Sequence, residues 1–107
     1  MFFKRKPERD KEHLAFIRTL PCLKCFSKSV AAHLRKGTDG SISKKPSDKW
    51  TIPLCQKCHD EQHKIGEVTF WGDIDQVKEL AQELYAISGD YEAALGLIVR
   101  YRNAFFN

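Results

Sequence analysis

The chain has 107 residues, enough for one domain around one modest core. Its formal net charge is +4, its pI is near 8.9 and its mean hydropathy is −0.47. No apolar run approaches the roughly 18–20 residues of a membrane-spanning helix. The N-terminal "MFFKRKPERDKEH" lacks the apolar stretch and small-residue cleavage site of a secretory signal. The reading is therefore a soluble protein of a reducing cytoplasm, where spaced cysteines bind metal more often than they pair.

In chain order, Leu14, Ile17 and Leu20 recur at helical spacing after Glu8, predicting a helix over residues 7–20 that Pro21 ends. "CLKC" is a tight turn, and "SVAAHL" reads as a short strand. Arg35 to Asp48 is a loop by its Gly, Ser, Pro and Lys content. "KWTIPLC" is a second strand with Trp50, Ile52 and Leu54 alternating, and Pro53 suits only an edge or an end. A helix then runs from Gln56 or Lys57 to about Ile65, where Gly66 stops it.

The last third is helical. Asp73 and Gln76 form a capping box, and Ile74, Val77, Leu80, Ala81, Leu84 and Ile87 make one apolar stripe. Asp90 caps a final helix carrying Tyr91, Leu95, Ile98, Val99 and Phe105. Both stripes are core and are expected to cover the hairpin and its helix. Tyr101, Phe105 and Phe106 suit the core better than a dimer face.

Cys22/Cys25 and Cys55/Cys58 are two Cys-x-x-Cys pairs. A two-residue gap lets both sulfurs of a turn reach one ion, and two such turns supply the four thiolates of a closed tetrahedral zinc site. The competing readings are two disulfides, a redox pair, or free core thiols. A structural Zn2+ here would tie the chain before the first strand to the chain after the second, and its binding energy would be partly folding energy.

"LCQKCHDEQH" adds His59 and His63 beside Cys58. Neighbouring helical residues diverge by about 100°, so Cys58 and His59 should point apart. His59 and His63, four residues apart, share a face and can grip a second ion. His33 ends the first strand, next to the strand that feeds this helix, and a neutral imidazole there suits a general base for water. His13 has no such placement and reads as bland. Charge clusters nearby: "FKRKPERDKEH" and "HLRKGTDGSISKKPSDK" hold ten of the eighteen Lys and Arg. Arg35, Lys36, Lys44, Lys45 and Lys49 are candidate contacts to nucleic-acid phosphates.

A strand with His, a loop, a second strand and a helix with His resembles the ββα-metal fold of the HNH (His-Asn-His) endonucleases. The knuckle-flanked form, "PCLKC … AAHLRKG … KPSDKWTIPLCQKCHDEQHKIGEVTFW", is similar to the small phage and prophage nucleases related to the recombination enhancement function (Ref) proteins. The match spans Leu20 to Trp71. The resemblance implies that His33 is the general base and that His59 and His63 hold a catalytic divalent ion (Mg2+, Mn2+, Ni2+ or Zn2+). Asp48 falls near the middle Asn, which orients the base, and Arg35 would grip a phosphate. One departure is Ala32, where many members carry a further metal ligand; a third ligand would then come from the loop, from Asp39 or Asp48.

The expected fold is α+β: one domain over residues 1–107, with a ββα-metal core at about 20–71, an N-terminal helix and two C-terminal helices over 72–107. The expected activity is metal-dependent cleavage of DNA with little sequence preference. The alternatives are a non-catalytic zinc module binding nucleic acid or protein, and a degenerate nuclease kept as an assembly factor in phage recombination.

Overall fold

The computed structural model describes residues 9–38 and 45–106. Among the described residues five helices accompany a two-stranded sheet: α1 (Lys11–Thr19), β1 (Val30–His33), β2 (Thr51–Leu54), α2 (Gln56–Ile65), α3 (Glu67–Trp71), α4 (Ile74–Ala86) and α5 (Tyr91–Phe106).

The helix starts follow their caps. Asp10 accepts from the His13 amide and opens α1, later than the expected start at residue 7; Glu8 lies outside the described residues. Asp73 accepts from the Gln76 amide and opens α4, one half of the expected capping box; its own amide donates to the Trp71 carbonyl at 2.9 Å instead. Gly66, at φ +90°, ends α2 and turns the chain at once into α3. A side chain is disfavoured in that backbone region, which is why this turn falls on glycine.

The strands pair antiparallel, with His33 opposite Thr51 and Val30 opposite Leu54. The Leu34 amide donates to the Trp50 carbonyl at 2.8 Å, so even-numbered residues carry the ladder bonds. Pro53 therefore points its ring nitrogen away from β1, and its missing N–H costs the ladder nothing. Its carbonyl instead accepts from the Leu23 amide at 3.0 Å, fastening the cysteine turn to the strand. All four residues of β2 are buried rather than alternating. The strand packs against α1, α2 and α4, so both of its faces are covered.

A single apolar cluster runs from Ile17 and Leu23 through Ile52 and Leu54 to Leu80, Leu84 and Ile98. The α4 stripe enters it as expected. The α5 stripe is rotated from the expected one: Ala94, Ile98 and Tyr101 are buried, while Tyr91 and Val99 are 46% and 42% exposed. The end of α5 brings Phe105 to 5.2 Å from Trp71, ring centre to ring centre, so the terminal aromatics are packed inside one chain. Lys24 places its ammonium over Phe70 and Phe106, and Arg102 donates from Nε to the Lys24 carbonyl at 3.2 Å, docking α5 on the cysteine turn. Among the described residues, no helix is long and apolar enough to cross a membrane.

Candidate functional site

Two turns carry the cysteines. Cys22 to Cys25 form the first, closed by the Cys22 amide on the Ser27 carbonyl (2.7 Å) and the Phe26 amide on the Cys22 carbonyl (2.9 Å). Cys55 is the N-cap of α2, and Cys58 is the buried third residue of that helix. The four sulfurs lie within 4.8 Å of one another. The sulfurs of Cys25 and Cys58 are 3.4 Å apart, too far for a disulfide bond of about 2.05 Å. All four cysteines are free thiols. Four sulfurs at about 2.3 Å from one ion would lie in this range of mutual distances. The set could hold a structural metal such as zinc.

The electrostatics fit. Burial opposes ionisation of Cys55, but the Cys58 amide and neighbouring thiol and hydroxyl hydrogens outweigh it and bring its pKa down to about 7. Cys58, buried among the other sulfurs, is pushed strongly up. One thiolate forms easily in this cluster and further ones repel it, which is the condition a divalent cation relieves.

The histidines of α2 stand apart from this cluster. One residue on from Cys58, His59 turns away from the sulfurs and meets His63: their Nε2 atoms are 3.1 Å apart. Two imidazole nitrogens each about 2.0–2.1 Å from one ion would be separated by about this distance. His59 Nδ1 is buried and has no hydrogen-bond partner. Burial and then the neighbouring His63 charge push the His59 pKa down, favouring the neutral ring that a metal needs. The pair fits a divalent ion chemically.

His33 sits at the far end of β1, and its Nε2 donates to Asp48 Oδ1 at 2.9 Å. Asp48 is 2% exposed. Its other oxygen accepts from the Asp10 amide at 2.7 Å, and Arg9 Nη1 approaches Oδ1 at 3.5 Å. Arg9 also bonds the carbonyls of Pro46 (2.6 Å) and Lys45 (3.0 Å), clamping the loop that carries the aspartate. Burial opposes the Asp48 charge, yet the Asp10 amide, His33 and Arg9 outweigh it and hold its pKa below the usual carboxylate value. Burial dominates at His33 and lowers its pKa, although Asp48 works against that. Near neutral pH the pair is therefore a neutral imidazole on a charged carboxylate. With both oxygens engaged, Asp48 has little left to offer a metal.

Among the described residues, His33 makes no hydrogen bond to His59 or His63. The two pairs are joined through Glu67. Its carboxylate accepts from the Arg35 amide at 2.8 Å and the Lys36 amide at 2.7 Å. Glu67 follows α2 by two residues, and Arg35 follows His33 by two, so the end of α2 is tied to the end of β1. α2 also packs against β2.

Of the expected phosphate contacts, Arg35, Lys36 and Lys45 are exposed and Lys49 lies over the Trp50 ring at 5.8 Å. Lys44 and Asp39 lie outside the described residues. Ala32 is fully buried in the core. The sequence reading missed Glu67, Arg9 and Gln62, whose buried Oε1 accepts from Trp71 Nε1 at 2.5 Å. It also passed over His13, which is 1% exposed and shares a 2.7 Å hydrogen bond with Ser88 Oγ.

The fold and site define a small α+β protein with four cysteines gathered where they could hold one metal. The chain belongs to the family described as "Protein of unknown function (DUF968)", whose model matches residues 1–84. That span includes all four cysteines, His33, Asp48, His59, His63 and Glu67, and stops short of α5. No curated protein and no solved structure matches the chain.

Proposed function

We propose that this protein is a metal-dependent DNA endonuclease of the HNH type, hydrolysing phosphodiester bonds with little sequence preference. The observation that carries the reading is the His33–Asp48 pair. A buried, charged carboxylate holds one ring nitrogen of an imidazole that is neutral near pH 7. That arrangement fixes the tautomer: Nε2 keeps its proton for Asp48, and Nδ1 carries the lone pair.

In this reading His33 Nδ1 takes a proton from the attacking water, and Asp48 stabilises the imidazolium that results. His59 and His63 would hold the divalent ion, which supplies charge stabilisation at the scissile phosphate and the leaving 3′-oxygen. The products are a 5′-phosphate and a 3′-hydroxyl. Arg35, Lys36, Lys45 and Lys49 contact backbone phosphates, so binding weakens steeply with salt. Cys22, Cys25, Cys55 and Cys58 hold Zn2+ and aim α2. The phage or prophage recombination setting belongs to the same proposal and rests on the resemblance of Leu20 to Trp71 to the Ref-related nucleases.

The test is plasmid nicking with Mg2+, Mn2+, Ni2+ and Zn2+, comparing parent with His33→Ala and His59→Ala. The reading requires that the parent cuts with at least one ion and that both variants lose cutting. A parent that binds DNA but cuts with none of them refutes it.

A second reading has its own observation. The four cysteines are the one group of three or more ligand residues gathered for a metal among the described residues, and Ala32 stands where the resemblance would have another ligand. A non-catalytic zinc module accounts for both. One tightly held zinc per chain, with no weaker site sensitive to His59, would favour the module.

A further inference from the structure

At the end of β1 remote from His33, a groove of about 310 Å³ opens where α1 ends, the cysteine turn exits and α5 begins. Nothing in the proposed cleavage chemistry uses it. Its lining includes Leu20 and Leu95, the aromatic rings of Phe26 and Tyr91, and the cations Arg18 and Lys28; no carboxylate lines it. Phe26 is 45% exposed and Tyr91 46% exposed, each unusual for a large aromatic. Arg18 and Lys28 are both exposed, and neither forms a salt bridge with a described residue. A third cation, Arg102, lies over the Phe26 ring at 5.9 Å.

Phe26 also occupies a backbone position that suits glycine. Its φ is +60°, the one positive value outside glycine among the described residues. The turn would form more readily with Gly at this place. What the phenylalanine adds is a ring at the groove.

We propose that this groove binds a segment of single-stranded nucleic acid, with bases stacked on Phe26 and Tyr91 and phosphates held by Arg18 and Lys28. Aromatic rings interleaved with unpaired cations in an open, shallow channel are the combination that holds such strands without reading sequence. The lining's charge is complementary to a phosphate, and the exposed carboxylates of Asp90 and Glu92, either side of Tyr91, are outside it. An acidic peptide would match the charge as well, but it gains most from an enclosed side-chain pocket or a free strand edge, and this channel is open. The site lies at least about 10 Å from His33, the length of β1. Binding here is independent of whether the protein cuts.

The experiment is fluorescence anisotropy with a labelled twelve-residue oligothymidylate, in the zinc-loaded protein with no other divalent ion added. Phe26→Gly relieves the backbone, so its Tm should equal or exceed the parent's. It should still weaken binding of the oligonucleotide about tenfold, while leaving affinity for a duplex of the same length unchanged. The double variant Arg18→Ser/Lys28→Ser should make the slope of log K against log salt shallower by about 1.4, two phosphates' worth on a single strand. The proposal is overturned if Phe26→Gly binds the oligonucleotide like the parent, or if duplex binding falls equally. It is also overturned if a glutamate-rich peptide binds more tightly and loses that binding in Phe26→Gly. A protein that binds as described but nicks no plasmid keeps the groove and loses the nuclease.

Discussion

Asp48 and His33, fifteen residues apart and brought together by the hairpin, share a 2.9 Å hydrogen bond whose carboxylate is 2% exposed. The aspartate is held from three further directions: by the Asp10 amide, by Arg9, and by its own carbonyl, which accepts from Thr51 Oγ1 at 2.8 Å. In the proposed mechanism such a carboxylate would orient the base rather than move to a metal. Asp48→Asn keeps the shape but turns an acceptor into an amide, so the imidazole can settle in the other tautomer. Nicking should fall by about 10²–10⁴, with a stability loss of about 1–3 kcal/mol from the poorer match to the Asp10 amide. Equal cutting by parent and Asp48→Asn would remove the aspartate from the chemistry.

Stability should depend on pH in a definite direction. The pKa values of His13 and His33 are both lowered from 6.5, by burial first. The unfolded chain therefore takes up these protons before the folded one does, and stability drops as pH falls below about 6.5. Asp48 is lowered from 3.8 in the fold, so its contribution is complete above 3.8 and is lost as pH falls through its folded value. Denaturation between pH 7 and pH 3 should show two successive declines, the histidines' below about 6.5 and that of Asp48 as pH falls through its folded value. His13→Gln isolates one part of this, because acid release of metal is common to it and the parent. Its profile should be flatter than the parent's just below pH 6.5; parallel profiles would refute the assignment.

What the sequence could reveal was set by how local each signal is. The cysteine turns, the start of α2 and the α4 stripe are local patterns of spacing and capping, and they are found as read. The divergence of Cys58 from His59 follows from helix geometry alone, and the sulfurs and imidazoles indeed face different partners. The five residues of α3 are too few for a period to emerge. In α5 the apolar residues are dense enough that two adjacent stripes fit, and contact with Trp71 and the cysteine turn selects the one through Ala94, Ile98 and Tyr101. Arg9 meets the loop carrying Asp48 across 36 to 39 positions, and Glu67 meets Arg35 across 32. No spacing rule reaches that far. His13 looked bland because a polar residue on a helix is usually solvated, whereas here Ser88 and Tyr85 close over it.

The four cysteines carry a prediction about folding as well as content. A structural zinc in such a set contributes apparent binding energy of about 10–16 kcal/mol, comparable with the whole stability of a small domain. Purified protein should hold one Zn2+ per chain by mass spectrometry, and a strong chelator should unfold it. Cobalt replacing the zinc should give the intense visible absorption of tetrahedral thiolate coordination. Cys58→Ser, at a buried position inside α2, should lose the metal and with it the cooperative unfolding transition. Metal-free protein with an unchanged unfolding curve would make the cysteines ordinary core thiols.

Glu67 ties the end of β1 to the end of α2 through its carboxylate. Both of its oxygens accept from backbone amides, at 2.8 and 2.7 Å. Such charge-assisted bonds are each worth about 1.5–3 kcal/mol when buried. This carboxylate is half-exposed, which reduces the pair to a total of about 1–2 kcal/mol in Glu67→Ala. Its effect on cutting should be larger than that loss implies. In the proposed mechanism, proton transfer and phosphate attack would depend on the placement of His33 relative to the α2 histidines, and a misplacement of about 1 Å would cost on the order of 10²-fold. DNA binding should hold or tighten, because a negative charge leaves the side of Arg35 and Lys36. Glu67→Gln keeps one acceptor oxygen and should recover part of the rate. A Glu67→Ala protein that nicks at the parent's rate while showing the expected loss of stability would mean that the link holds the fold and does not set the site.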